Sequence, residues 1–247
     1  MNLFEDEQKT IPDSSAPLAY RMCPGTIEEY AGQEHILGKG KLLRRAIEAD
    51  RVTSLVLYGP PGTGKTALAK VIAAKTNARF EWLNAATASL DDLRKIIQSA
   101  RMRKAKGIRT ILFLDEIHRF NKLQQDALLP DVEEGNITLI AATVENPFFY
   151  VNSALLSRSQ VFELKPLSIE NIFNLLKNAL HDKGRGLGNL NITADDAALK
   201  HIAKMSDGDA RKALSSLEIA ALTTHPDEKG GIHVTFRLQR NPFRKRR

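Results

Sequence analysis

The chain has 247 residues, 43% of them apolar, 26% charged and 6% aromatic, with a single cysteine and a formal net charge of +7. That length and composition supply a buried core for one large domain or two small ones, and they exclude disordered, collagen-like and disulfide-scaffold chains. Six cations (Arg237, Arg240, Arg244, Lys245, Arg246 and Arg247) crowd into the last twelve residues without an acid, so the basic balance describes the tail rather than the body.

Residues 1–20 are polar, with Pro12, Ser14, Ser15 and Pro17, and read as a mobile arm. The opening MNLFEDEQKT lacks the apolar stretch of a secretory signal. No apolar run approaches the ~18 residues of a membrane span, so no membrane partner is expected. Cys23 has no internal partner for a disulfide, which fits a reducing, cytoplasmic setting, nucleoid-associated in a bacterium or nuclear in a eukaryote.

Apolar runs at 54–58, 79–83, 110–114, 137–142 and 160–164 predict five strands. Between them lie a helix over 65–75 and another that Ser89 caps, with Asp92 at its positive end. Strands alternating with helices predict an α/β/α core with a five-stranded parallel sheet over 21–165. After Pro166 the period changes. Ser168 opens a helix carrying Ile172, Phe173, Leu176 and Leu180, Thr193 caps a second, and a third runs from about Asp209 to Leu222. This predicts a small helical lid over 166–225 with no strand before about Ile232.

Gly59, Pro60, Pro61, Gly62, Thr63, Gly64, Lys65 and Thr66 fit G-x-x-x-x-G-K-[ST] between a strand and a helix. Glycines let backbone N–H groups turn inward around phosphate oxygens, where the helix dipole adds positive potential. Lys65 would reach the β- and γ-phosphates of ATP, and the Thr66 hydroxyl would ligate Mg²⁺. The third strand ends in Asp115 and Glu116. Asp115 would hold the metal through water, and Glu116 would activate the attacking water. Together these elements predict ATP hydrolysis. A basic cluster, Arg101, Arg103, Lys104, Lys106 and Arg109, reads either as cations complementing a helix C-terminus or as a surface tracking nucleic-acid phosphates. His118 reads as a packing or hydrogen-bonding element rather than a metal ligand.

Residues 21–225 resemble the AAA+ ATPases, and within them the replication-associated recombination protein A family, whose eukaryotic members include the Werner-helicase-interacting protein. The resemblance rests on YAGQEHILG (30–38), GPPGTGKT, ILFLDEIHRFNK (111–122), QQDALLP (124–130), ENP (145–147), LLSR (155–158) and GDAR (208–211). It implies that Arg158 is an arginine finger completing a neighbouring subunit's site and that Arg211 is a second sensor on the lid. It implies that Asn84 orients the catalytic glutamate, that Tyr30 to Ile36 line the adenine pocket, and that ATP sits where core and lid join. Val144 stands where relatives carry a second threonine, so the first-sensor role passes to Thr143 or Asn146, or hydrolysis is slower.

The same resemblance implies action on DNA (forks, gaps or single-stranded ends) in replication, recombination and repair, by helicase- or branch-migration-type remodelling. It also implies replication and single-strand-binding proteins as partners and a homo-oligomer in relatives. Relatives continue into a further helical domain for oligomerisation, whereas this chain reads as C-terminally truncated. Residues 226–247 read as a frameshifted segment, since one permitted codon choice for the tail encodes IAEESIQKK in another frame. A basic arm on DNA phosphates is the competing reading. The alternative to a motor is a nucleotide-dependent binding or scaffold module that hydrolyses little.

Overall fold

The computed structural model describes residues 15–228 and 230–235, and they fall into two compact units. Leu18–Arg21 forms the short helix α1. Between Pro24 and Pro166 follow α2 (Glu34–Leu37), α3 (Leu42–Glu48), β1 (Leu55–Tyr58), α4 (Lys65–Lys75), β2 (Arg79–Asn84), α5 (Leu90–Lys104), β3 (Thr110–Asp115), α6 (Lys122–Asp126), α7 (Leu129–Glu133), β4 (Thr138–Thr143), α8 (Pro147–Tyr150), α9 (Ser153–Leu156) and β5 (Gln160–Glu163). From Leu167 onward come α10 (Ile169–His181), β6 (Ile192–Ala194), α11 (Asp196–Met205), α12 (Ala210–Thr223) and β7 (Ile232–Val234).

The unit from Pro24 to Pro166 is built on a five-stranded, all-parallel sheet in the order β2-β3-β4-β1-β5. Both faces are covered, which is why β3 reads as an unbroken apolar run. Successive side chains go to opposite layers. Leu55, Leu57, Ile111, Phe113, Ile140 and Ala142 pack with Leu43 and Ile47 of α3 and Leu68 and Ile72 of α4. Val56, Leu112, Leu114, Leu139 and Ala141 pack with Leu93, Ile97 and Ala100 of α5. Helix α5 begins with a full capping box. The Ser89 hydroxyl accepts from the Asp92 N–H at 3.2 Å, and the Asp92 carboxylate accepts from the Ser89 N–H at 3.0 Å.

The second unit combines α10, α11 and α12 with the described N-terminal residues through Cys23. Here two expectations are corrected. Residues 1–14 lie outside the described residues, but the supposed mobile arm does not extend to residue 20. Leu18 is fully buried among Leu176, Leu214 and Leu217, and its N–H donates to the Glu218 carboxylate at 2.9 Å. Arg21 donates to the carbonyls of Arg185 (2.8 Å) and Gly186 (3.0 Å) and pairs with Glu218. Leu18 and Met22, both buried in this cluster, pin the segment together with the polar ties of Arg21 and Glu218.

The second correction concerns Thr193. It does not cap a helix but sits in β6, which pairs in parallel with β7, and Asp195 occupies the N-cap of α11. β-Branched Ile192 and Thr193 favour the extended backbone, and the Thr193 hydroxyl is hydrogen-bonded to His233 Nδ1 at 2.6 Å. Ser168 and Asp209 do cap their helices, accepting from the N–H groups of Asn171 and Lys212. Of the tail at 226–247, residues 229 and 236–247 lie outside the described residues. No helix of the described chain is long and apolar enough to cross a membrane.

Candidate nucleotide site

In a parallel sheet the C-terminal strand ends form the edge where ligands gather, at the point where the chain turns to a non-adjacent strand. The chain leaves β1 in the sheet interior and next enters β2 at its rim. The glycine-rich loop joins β1 to α4 at that edge.

The loop's glycines have individual reasons. Gly62 and Gly64 lie at φ +71° and +99°, left-handed conformations that side chains disfavour. A Cβ on Gly59 would meet the Leu164 carbonyl, and one on Gly64 would meet the Tyr30 hydroxyl. The loop is therefore walled on both sides and keeps its inner surface as backbone. The Thr63 hydroxyl donates to the Pro60 carbonyl at 2.9 Å. The Lys65 ammonium is largely buried and donates to the carbonyls of Gly59 (2.6 Å) and Pro60 (2.9 Å). A cation in that setting is held within the loop rather than solvated. Thr66 is half-buried one residue on, in the first turn of α4.

The YAGQEHILG segment braces the loop. The Tyr30 hydroxyl lies 3.0 Å from the Gly64 carbonyl. Gln33, buried in a left-handed conformation at φ +63°, donates to the Lys165 carbonyl at 2.6 Å and accepts from the Lys165 N–H at 2.9 Å. Ile36 is buried in the core layer shared with Leu57 and Leu68. Gln33 lies in the YAGQEHILG motif, within the Tyr30 to Ile36 stretch expected at the adenine pocket, and its brace on Lys165 is a contact that spacing does not show.

Asp115 ends β3 on the same edge, in register with Asn84 of β2, and β4 runs between β3 and β1. At ~4.8 Å per strand the carboxylates of Asp115 and Glu116 belong to the same strand-end crevice as the loop. The Asp115 carboxylate accepts from the Glu116 N–H at 3.1 Å, and Glu116 itself is left-handed at φ +57°. Strained conformations of this kind concentrate at functional sites. Thr143, wholly buried at the end of β4, pairs in register with Tyr58, and its carbonyl accepts from the Gly59 N–H at 3.3 Å. Its hydroxyl lies 2.9 Å from His118 Nδ1, while His118 Nε2 lies 3.2 Å from a Glu116 carboxylate oxygen. Asn146 is occupied otherwise, accepting from the Phe148 N–H as the cap of α8. Val144 is partly exposed. Asn84 accepts from the Ala86 N–H at 2.8 Å, and no hydrogen bond joins it to Glu116 among the described residues.

Arg158 lies at the opposite end of the sheet, two residues before β5, paired with Glu133 at 2.6 Å and donating to the Ala154 carbonyl at 2.9 Å. At ~3.3 Å per residue, the strand carries it on the order of 15 Å from the loop-bearing edge. Arg211 is exposed in the first turn of α12 in the helical unit, and among the described residues it has no ion-pair partner. A cation there opposes the helix dipole, so local stability does not explain it.

The basic cluster resolves into internal partners. Arg101 grips buried Asp131 through two bonds (2.6 and 3.0 Å), Arg103 pairs with Glu81, Lys104 donates to the Glu134 carbonyl and Arg109 pairs with Asp50. Four of the five cations are thus committed to the fold.

The donor set suits magnesium carried by a nucleotide. Thr66 and Asp115 offer two oxygens, and no group of three or more His, Cys, Asp or Glu able to hold a metal occurs among the described residues. Mg²⁺ is commonly bound through one or two protein oxygens together with phosphates and water, and the glycine cradle supplies room for those phosphates.

Sequence comparison matches residues 55–167 to the ATPase family associated with various cellular activities (AAA) and residues 188–246 to the AAA C-terminal domain. The fold and this site thus define the chain as an AAA+ P-loop ATPase. Replication-associated recombination protein A of Escherichia coli (strain K12) is 51% identical over 214 residues, spanning 87% of this chain and 48% of that protein. The protein of the same name from Bacillus subtilis (strain 168) is 45% identical over 220 residues, 89% of this chain and 51% of that one. The ATPase WRNIP1 of Dictyostelium discoideum is 42% identical over 207 residues, 84% and 24% respectively. Within its class the chain belongs to the replication-associated recombination protein A family. It spans about half the length of the bacterial relatives it matches. Among solved structures, the Thermotoga maritima RuvB Holliday junction branch migration motor has a TM-score of 0.69 at 26% identity, covering 88% of this chain and 70% of that one.

Proposed function

We propose that the chain is a Mg²⁺-dependent ATP hydrolase that remodels DNA during replication-fork maintenance, recombination and repair. The observation that carries the hydrolytic part is the common edge holding the glycine cradle, Lys65, Asp115 and Glu116. Lys65 would neutralise phosphate oxygens, and the loop amides with the N-terminus of α4 would bind them. Thr66 and Asp115 would hold Mg²⁺, which supplies charge neutralisation on the transferred phosphate when bound. Glu116 would orient a water and take its proton. Thr143, whose hydroxyl is engaged beside Glu116, fits the first-sensor role better than Asn146, which is spent on a cap.

Arg158 would act on a neighbouring copy, because the length of β5 keeps it from its own phosphate loop. Arg211 would serve as the second sensor, a use that accounts for a cation against the helix dipole. Family membership is the ground for DNA as the target, with forks, gaps and single-stranded ends as candidate structures and replication and single-strand-binding proteins as partners. A nucleotide-dependent scaffold that hydrolyses little is a second reading, favoured by Val144, which brings no hydroxyl beside Thr143.

Steady-state ATP turnover measured across protein concentration, with and without forked or gapped DNA, separates the two. Turnover that rises with concentration and with DNA supports the motor. Turnover that is absent, while ATP still promotes DNA retention, supports the scaffold.

A further inference from the structure

Resting on the hydrolase reading above, we infer that His118 is the positioning residue for the catalytic carboxylate, linking Glu116 to Thr143 in place of Asn84. The His118 Nε2 atom lies 3.2 Å from a Glu116 carboxylate oxygen, a close polar approach without the alignment of a hydrogen bond. Its Nδ1 atom is hydrogen-bonded to the Thr143 hydroxyl at 2.9 Å. The Thr143 oxygen in turn accepts from the Glu145 N–H at 3.0 Å. The result is one chain of polar contacts from the backbone after β4 to the carboxylate after β3.

The ring is fixed from other sides as well. It lies against Tyr150 edge-on, with centroids 6.4 Å apart and planes at 72°. Buried Gln125 ties that neighbourhood together, donating to the carbonyls of Phe120 and Tyr150 at 3.0 Å each and accepting from the Asn152 N–H at 2.8 Å. Glu116 sits in a left-handed backbone that few side chains adopt. A carboxylate on such a backbone, with no bond to Asn84, is aimed by the imidazole.

Two variants of the full chain separate aiming from packing. His118→Phe keeps a ring against Tyr150 but loses the hydrogen bond to Thr143 and the polar approach to Glu116, and His118→Gln restores a polar group beside Glu116. His118→Phe should lower kcat for ATP roughly 10- to 100-fold, below the ~10²–10⁴ of losing a general base. Its KM and its affinity for a fluorescent ADP analogue should stay within about twofold. His118→Gln should recover most of the rate. His118→Phe combined with Thr143→Val should lose no more than the larger single loss, since both cut one relay. Nitrogen-15 spectra of the imidazole should shift in Glu116→Gln, a readout independent of turnover.

A His118→Phe rate within twofold of wild type, or a loss confined to KM, overturns the inference while leaving the hydrolase reading intact. A wild-type chain without turnover overturns both.

Discussion

Lys65 is a buried cation that donates to the two carbonyls at the start of its own loop, so the loop and the lysine form one unit. Lys65→Ala should weaken ATP binding by about 100-fold or more, on the scale of losing a desolvated charge-assisted contact, while fluorescence anisotropy with a labelled nucleotide reports the loss. Secondary structure and melting should change little, because the side chain contributes no apolar layer to the core. This site was legible because its chemistry is written in residue types at fixed spacing. Glycine is demanded where φ is positive or where Leu164 and Tyr30 press close, and a polar pair after an apolar run marks a strand end. The relay through His118 was less visible, since it depends on which ring nitrogen faces which strand end. The side-chain oxygens of Asn84 and Asn146 accept from the N–H groups of Ala86 and Phe148, contacts that motif spacing does not show.

Elements with strong periods or caps could be read directly. The helix opened by Ser89 has the cap its sequence predicts, to which Asp92 adds the reciprocal bond of a capping box, and Ser89→Ala should cost about 1 kcal/mol of stability by chemical denaturation. Elements held by distant partners could not. β6 and β7 are three residues each and lie about 40 positions apart, so neither alone carries a periodic signal. Helix α1 likewise has four residues and no side-chain cap. It is defined by Leu18, and Leu18→Ala should cost roughly 2–4 kcal/mol through the cavity it leaves.

The turn after α10 adds a pH dependence. The Asp182 carboxyl is held below its ordinary 3.8, chiefly by the Arg185 N–H that donates to it. A depressed carboxyl stabilises the fold fully above the unfolded value and loses that contribution as pH falls through the folded one. The stability gap between wild type and Asp182→Ala should therefore persist at pH 7 and close below about pH 3.8, as thermal melts across acid pH would record.

For the molecule as a whole, the position of Arg158 matters most. If it serves a neighbouring copy, Arg158→Ala should retain nucleotide affinity and lose turnover by something on the order of 10³-fold. Mixing Arg158→Ala with Lys65→Ala chains should then restore activity, because the second supplies an intact arginine to the first. Mixtures that stay inactive at all ratios would refute action in trans. The basic cluster between Arg101 and Arg109 is mostly spent on internal pairs with Asp131, Glu81 and Asp50. DNA affinity of the described residues should accordingly show a shallow salt dependence, fewer than five phosphate contacts by the slope of log affinity against log salt.

Leu18 and Glu218, joined directly, stand 200 positions apart, so the helical unit is assembled from the first and last described stretches while the sheet unit is contiguous. On a ribosome adding ~5–20 residues per second, α1 waits about 10–40 s for α12 to emerge. During that interval the nucleotide-binding unit has all its strands and can close first, leaving one short apolar segment at the leading end uncovered. Early exposure of Leu18 to chaperones or proteases on nascent chains, and its protection once synthesis passes residue 221, is the outcome this ordering requires.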